Sequence, residues 1–190
     1  MDDLVTARLV LHPMDAEEAE RVLTGHPDDT ARWAPGYPAA GDASAARRFL
    51  RTCAETGDPR PFGTYEIRRR EDGHTIGGVD FHGTPDADGK VTIGYGLIPS
   101  AHGKGYASEA LRALLAFARV QGITSVEGDT GHDNLASQHV MSAVGMRVIA
   151  EDERLKYYKI AWDDTGEIAD PHSRPRDAAR RCPGGAPGWT

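Results

Sequence analysis

The chain has 190 residues, of which 39% are hydrophobic and 27% charged, with a formal net charge of −7. That length supports one sizeable core and leaves room for only a very small second domain. The acidic balance excludes nucleic acid as the main partner: counterion release needs Lys and Arg clustered on one face, and the one basic run, Arg68-Arg69-Arg70, meets Glu71 and Asp72 at once.

Residues 9–11 alternate as a first strand, and Asp15 reads as the N-cap of a short helix to about Leu23. Pro27, Pro35, Gly36 and Pro38 then hold a loop, after which Asp42 or Ser44 caps a second helix ending near Thr56, before Gly57 and Pro59. Strands are predicted over 62–68, 75–82 and 91–98, separated by Asp72-Gly73 and the turn-rich residues 85–89. The next helix, 106–121, lines up Leu111, Leu114, Leu115 and Ala118 on one stripe. A strand at 125–129, a helix at 134–144 and a hairpin over 146–150 and 155–162 complete the body. Beyond Trp162 prolines and glycines break every period, and residues 163–190 read as a tail.

No stretch of about eighteen consecutive apolar residues occurs, and the start Met1-Asp2-Asp3 has no basic region leading into an apolar run. A soluble cytoplasmic protein with no membrane partner is the expectation. Cys53 and Cys182 lie far apart with no Cys-x-x-Cys spacing, so both are expected as free thiols, with no metal site.

The most informative segment is 93–110, where an apolar strand enters a glycine-rich turn and then a helix. Gly103 and Gly105 let the backbone approach a ligand, and the first helical turn aims unpaired N–H groups and its positive dipole end at an anion. A phosphate ester is the natural occupant. A Walker-type loop is excluded, because Ile98 stands where it needs glycine and Gly105 where it needs Ser or Thr. A dinucleotide fingerprint fails as well, since its third glycine falls on Ser108 or Pro99.

His102-Gly103-Lys104-Gly105-Tyr106-Ala107 resembles the pyrophosphate signature Arg/Gln-x-x-Gly-x-Gly/Ala of the GNAT superfamily, the acetyl-CoA-dependent N-acetyltransferases. His102 departs from the usual Arg or Gln, which makes cofactor affinity pH-sensitive there. A second block, from Asn134 through Ser137 to Gly145-Met146, is similar to the family's next motif in its RimJ/RimL form, and residues 6–15 resemble that branch's first strand. Three blocks in the correct order make the signal strong, and together they span roughly residues 6–162.

The resemblance implies an α/β (α+β) GNAT fold over residues 1–162: a mostly antiparallel mixed sheet of about six to seven strands flanked by about four helices. It implies transfer of an acetyl group from acetyl-CoA (coenzyme A) to a primary amine, either a protein N-terminus or a small molecule, by direct attack. Leu97, Ile98 and Pro99 would meet the pantetheine arm, and His102, Gly103, Lys104, Gly105, Tyr106 and Ala107 the pyrophosphate. Asn134 and Ser137 would complete the cofactor site, and Trp33, Tyr37, Asp80 and His82 would line the acceptor side.

Two familiar catalytic groups are missing under that resemblance. Thr92 stands where histone-acetylating relatives carry a Glu base, and Met141 where a Tyr elsewhere protonates the thiolate. Ser137 answers the second gap as a donor to sulfur. The base is open among His132, Asp129, Glu127 and a water chain, with His132 favoured because its unperturbed pKa suits the task. The same gaps leave a non-catalytic acyl-CoA-binding module as the alternative, with an interaction protein acting through the tail as a third reading. Dimers are common in the branch, so a homodimer is also an expectation.

Overall fold

The period-two alternation read from the sequence becomes strands β1 (Leu4–Val5), β2 (Leu9–Pro13), β3 (Thr64–Arg69), β4 (Thr75–Phe81), β5 (Lys90–Leu97), β6 (Ser125–Gly131), β7 (Arg147–Glu151) and β8 (Leu155–Ala161). The helices are α1 (Ala16–Thr24), α2 (Ala40–Thr56), α3 (Tyr106–Val120) and α4 (Leu135–Ala143). This computed structural model describes residues 2–163 and 167–169; Cys182 and nearly all of the expected tail lie outside the described residues.

All strands join one sheet of order β1-β2-β3-β4-β5-β6-β8-β7, in which β5 and β6 alone run parallel. The eight strands correct the expected six to seven. The addition is β1, where Leu4 and Val5 pair with Leu11 and Val10; two residues are too short to display a period of two. At the other end, the Ala169 N–H donates to the Ala161 carbonyl at 2.8 Å and Trp162 bridges to Ile168, so paired backbone continues past the expected boundary at Trp162.

α1 begins as its sequence requires. Asp15 Oδ1 accepts from the Glu18 N–H at 2.9 Å, Glu18 Oε2 accepts from the Asp15 N–H at 2.9 Å, and Gly25 closes the helix at φ 70. α2 corrects the reading of Asp42 or Ser44 as its cap, because the cap is Ala39. Asp42 sits in the first turn and accepts from the Ala39 N–H at 2.8 Å, while Ser44 Oγ donates back to the Ala40 carbonyl at 2.9 Å. Either side chain can serve a helix start from just inside it, which sequence alone does not separate from capping.

α3 buries Ala110, Leu111, Leu114, Leu115 and Ala118, the predicted stripe, on one face of the sheet. Phe117 meets Tyr65 and Phe81 there, each with ring centroids 6.4 Å apart. Alternation therefore turns Glu66 and Asp80 toward the opposite face, covered by α1 and α2. Gly78, Gly94 and Gly96 share that face, since Asp80 pairs with Gly94 and Gly78 with Gly96. Among the described residues no helix is long and apolar enough to cross a membrane.

Candidate active site

β5 and β6 pair only from Lys90↔Ser125 to Thr92↔Glu127, although β5 continues to Leu97 and β6 to Gly131. From Gly94 onward β5 keeps β4 on one edge and has no strand on the other, leaving backbone N–H and C=O groups to face a gap. A parallel pair that stops mid-strand makes a slot a linear amide-bearing chain can enter by adding backbone-type hydrogen bonds. Leu97, half-buried, and Pro99, exposed, stand at its end, whereas the Ile98 side chain is core at 1% exposure and its backbone is engaged, the N–H with the Ile76 carbonyl and the C=O with the Ala101 N–H, each at 2.9 Å.

The turn after β5 has the glycine geometry expected of an anion cradle. Gly103 and Gly105 lie at φ 72 and 77, where other residues are strained, and a Cβ on Gly105 would meet Arg8 Nη2 at 3.4 Å. Gly105 is the α3 N-cap and has no side chain to accept from the first-turn amides, so Tyr106 and Ala107 open a helix whose donors lie at a surface. His102 Nε2 donates to the Leu97 carbonyl at 2.8 Å, tying the turn to the strand it leaves. Lys104 is exposed beside these groups.

Arg8 locks the cradle, a function its place in the first-strand motif did not reveal. Its Nη1 donates to the Lys104 carbonyl at 2.9 Å, its Nε to Glu109 Oε2 at 2.7 Å, and its guanidinium stands 4.8 Å from the Tyr106 ring centroid. Glu109 Oε1 also accepts from the Arg8 N–H at 2.9 Å and from Thr6 Oγ1 at 2.7 Å. The β1–β2 turn and the α3 N-terminus are thereby fixed to each other.

Across the gap, Asn134 caps α4, its Oδ1 accepting from the Ser137 N–H at 3.1 Å. Tyr95 Oη donates to the Ser137 carbonyl at 3.2 Å, so β5 and α4 are linked over the slot and half-buried Ser137 is held beside it. Met141 is buried at 3% exposure and lies in the core. His132, exposed just after β6, donates from Nε2 to the Asp152 carbonyl at 2.7 Å, on the turn between β7 and β8.

The face under α2 is charged. Asp80 is 5% exposed and receives Arg48 Nη2 from α2, and His82 Nε2 lies 3.8 Å from Asp80 Oδ2. Burial pushes the Asp80 carboxyl up against the pull of Arg48, and burial pushes the His82 imidazole below its ordinary value against the pull of Asp80. Asp42, buried close by, is raised by burial to about 6.

The four residues expected on the acceptor side form two groups. Asp80 and His82 border β5, whereas Trp33 lines a cleft of about 360 Å³ with His12, Glu18, Arg32, Glu66 and Arg68. Tyr37, only 7% exposed, packs edge-on against Trp33 at 5.3 Å, and its hydroxyl donates to Glu66 Oε1 at 3.4 Å. The Trp33 loop is pinned to β4 by the Ala34 N–H to the Thr75 carbonyl at 3.0 Å and the Thr75 N–H to the Arg32 carbonyl at 2.7 Å.

Residues 8–147 match the Acetyltransferase (GNAT) domain family. The chain belongs to that family. This N-acetyltransferase is 24% identical over 123 residues to the uncharacterized N-acetyltransferase YjdG of Bacillus subtilis (strain 168), covering 64% of the present chain and 73% of YjdG. Its fold is similar to that of RimL, a ribosomal L7/L12 alpha-N-protein acetyltransferase solved with coenzyme A, at TM-score 0.62 and 17% identity over 84% of this chain and 98% of that one. It is also similar to the Microcin C7 self immunity acetyltransferase MccE, solved with acetyl-CoA and AMP, at TM-score 0.57 and 16% identity over 82% and 93% of the two chains.

Arg8, Tyr95 and Arg48 border the candidate site of this acetyltransferase, and sequence reasoning missed all three. Each acts on a partner remote in sequence, Arg8 on Glu109 and Tyr95 on Ser137, and no local spacing announces such pairs. Among the described residues no group of His, Cys, Asp and Glu is arranged to hold a metal ion.

Proposed function

We propose that this acetyltransferase moves the acetyl group of acetyl-CoA to a primary amine, of a protein N-terminus or a small molecule, by direct attack with both substrates bound. The observation that carries the reading is the uncapped, glycine-bounded N-terminus of α3 standing at the end of the slot between β5 and β6. Backbone amides of residues 103–107 would take the pyrophosphate, Lys104 adding a point charge, while the free edge of β5 at Leu97, with Pro99 beside it, would meet the pantetheine amides, and Ile98, its backbone paired with Ile76 and Ala101, would not. Asn134 would hold the start of α4, and the Ser137 hydroxyl would donate to the departing sulfur. His102 contributes by fixing the turn to Leu97.

Acetyl-CoA supplies an activated acyl carbon. The chain supplies proximity, for which oriented intramolecular models suggest about 7 to 11 kcal/mol, so the absence of Glu at Thr92 and Tyr at Met141 does not abolish the reaction. The acidic groups of the α2 face favour a cationic acceptor. The two acceptor classes separate on geometry: the cleft at Trp33 would serve a small molecule, and the face bearing Asp80 and His82 would serve a chain terminus.

Calorimetry with coenzyme A, followed by thiol release with acetyl-CoA and a panel of N-terminal peptides and polyamines, tests the proposal. Binding with turnover of a panel member supports it; binding without turnover across the panel favours the acyl-CoA-binding module; absence of binding removes both. Sedimentation of the same material reads the expected homodimer.

A further inference from the structure

We propose that His82 takes the proton from the acceptor amine, that Asp80 holds the amine's charge beneath it, and that Arg48 positions Asp80 from α2. The inference rests on the acetyl-transfer reading above. Its geometric basis is the mouth of the slot. The His82 N–H donates to the Thr92 carbonyl at 2.8 Å, at the row where β5 last pairs with β6, so the imidazole stands where the two strands part. The next β5 residue on that face is Gly94, and a Cβ built on it would fall 2.9 Å from His82 Nε2 and 3.0 Å from Asp80 Oδ1. Only glycine admits an imidazole nitrogen and a carboxylate oxygen this close over the β5 backbone, so both groups pack against Gly94 itself. Gly96, one step further along the same face, meets nothing within 4 Å, so open space adjoins the two groups. An ammonium group in that adjoining space would donate one hydrogen bond to each atom.

The charges facing His82 come from every neighbouring element. Asp80 lies on its own strand, Arg48 on α2 and Asp129 on β6, with uncharged Thr92 and Gly94 on β5. Burial holds the imidazole below its ordinary value of 6.5 despite the two carboxylates, which keeps it neutral and ready to accept a proton at pH 7. Arg48 anchors Asp80 yet leaves its own Nε buried with no hydrogen-bond partner among the described residues. That cost is characteristic of groups placed for function rather than stability. The other candidates are less well placed: His132 commits Nε2 to Asp152, and Glu127 lies 3.4 Å from Lys159 and 3.8 Å from Lys90.

The step balances as follows. His82 Nε2 removes one proton from the ammonium, and the freed lone pair forms the C–N bond as the C–S bond breaks, its electron pair staying on sulfur. The second nitrogen proton passes to sulfur, giving the thiol, and His82 returns its proton to water, so one proton is released per amide formed.

The test uses the full chain and the peptide and polyamine panel. His82→Gln is expected to lower kcat/KM by about 10²- to 10⁴-fold and to remove the acid limb of the pH profile, with coenzyme A affinity by calorimetry unchanged. Asp80→Asn is expected to raise KM for cationic acceptors. An NMR titration of the His82 ring needs no turnover: it should titrate below the free-histidine value, and lower still in Asp80→Asn, where an anion has been removed. Gly94→Ala, whose methyl would push His82 and Asp80 from their places, should cut turnover without affecting coenzyme A binding. Retained activity and an unchanged pH profile in folded His82→Gln, or a ring titrating at or above 6.5, overturns the proposal. Failure of every panel amine alongside intact coenzyme A binding would instead overturn the acetyl-transfer reading.

Discussion

On the α3 and α4 side of the sheet the groups left open at the candidate site are backbone amides, set by two left-handed glycines and an open helix end, whereas on the α1 and α2 side they are charged side chains. A chain of contacts runs there from Asp3 through His12, Glu18 and Arg68 to Glu66, with separations of 2.7, 3.1, 3.2 and 2.6 Å. Backbone chemistry is common to every residue, so the first side can hold an invariant part of a ligand with almost any side chains around it. Side-chain charge is specific, so under the proposed function the second side would choose the acceptor. Stability and selectivity should therefore respond to mutation on one side, and cofactor grip on the other.

The largest expected effect comes from the charged side. Arg68→Ala leaves Glu66, 3% exposed, without its guanidinium, and should destabilise the fold by about 3 kcal/mol in denaturant titration while coenzyme A affinity of the folded protein stays constant. A matching loss of affinity would show that the two faces are not independent.

Next is a pH dependence within the same chain of contacts. For Glu18, burial raises the pKa but the His12 and Asp15 hydrogen bonds outweigh it, bringing the group from 4.5 to about 2. A lowered acid contributes stability above its unfolded pKa that disappears as pH falls through the folded one. Glu18→Gln should thus cost about 2 kcal/mol near pH 6, with the difference from wild type vanishing toward pH 2. His12 has the opposite sign. Its hydrogen bond to Glu18 raises it, so its contribution is full below pH 6.5 and lost as pH rises. The pair should be strongest between about pH 4.5 and 6.5, and a stability profile by thermal melting that peaks elsewhere would count against this account.

On the backbone side, Gly105→Val forces a β-branched residue into φ 77 at an estimated cost of about 1 to 2 kcal/mol. Coenzyme A affinity should fall about tenfold or more by calorimetry, with the acceptor face intact. The smallest effect belongs to Arg8→Ala. Its guanidinium is half exposed, so stability should change by less than about 1 kcal/mol, but release of the Lys104 carbonyl should weaken coenzyme A binding severalfold. If Arg8→Ala changed acceptor KM rather than coenzyme A affinity, the division between faces would fail.

The same contrast explains what was legible in the chain. Gly103, Gly105 and the α3 stripe declare themselves locally, because left-handed turns and helical faces are written within about ten residues. Capping of α4 by Asn134 and the box between Asp15 and Glu18 are equally local. β1 escaped notice because two residues carry no period, and the α2 start shifted because Asp42 can serve the cap from inside the helix.

The sequence by itself determined the GNAT fold, the glycine turn that opens α3 and the order of the strands along the chain. Tertiary structure alone decided that Arg8 would hold Glu109, that Arg48 would reach Asp80, that β5 would part from β6 after Thr92, and that Trp33 would stand apart from His82. The reason is range. Backbone preferences act between neighbours, but a charge finds its partner only once the sheet has set the register that brings remote residues together, and no spacing along the chain encodes that meeting.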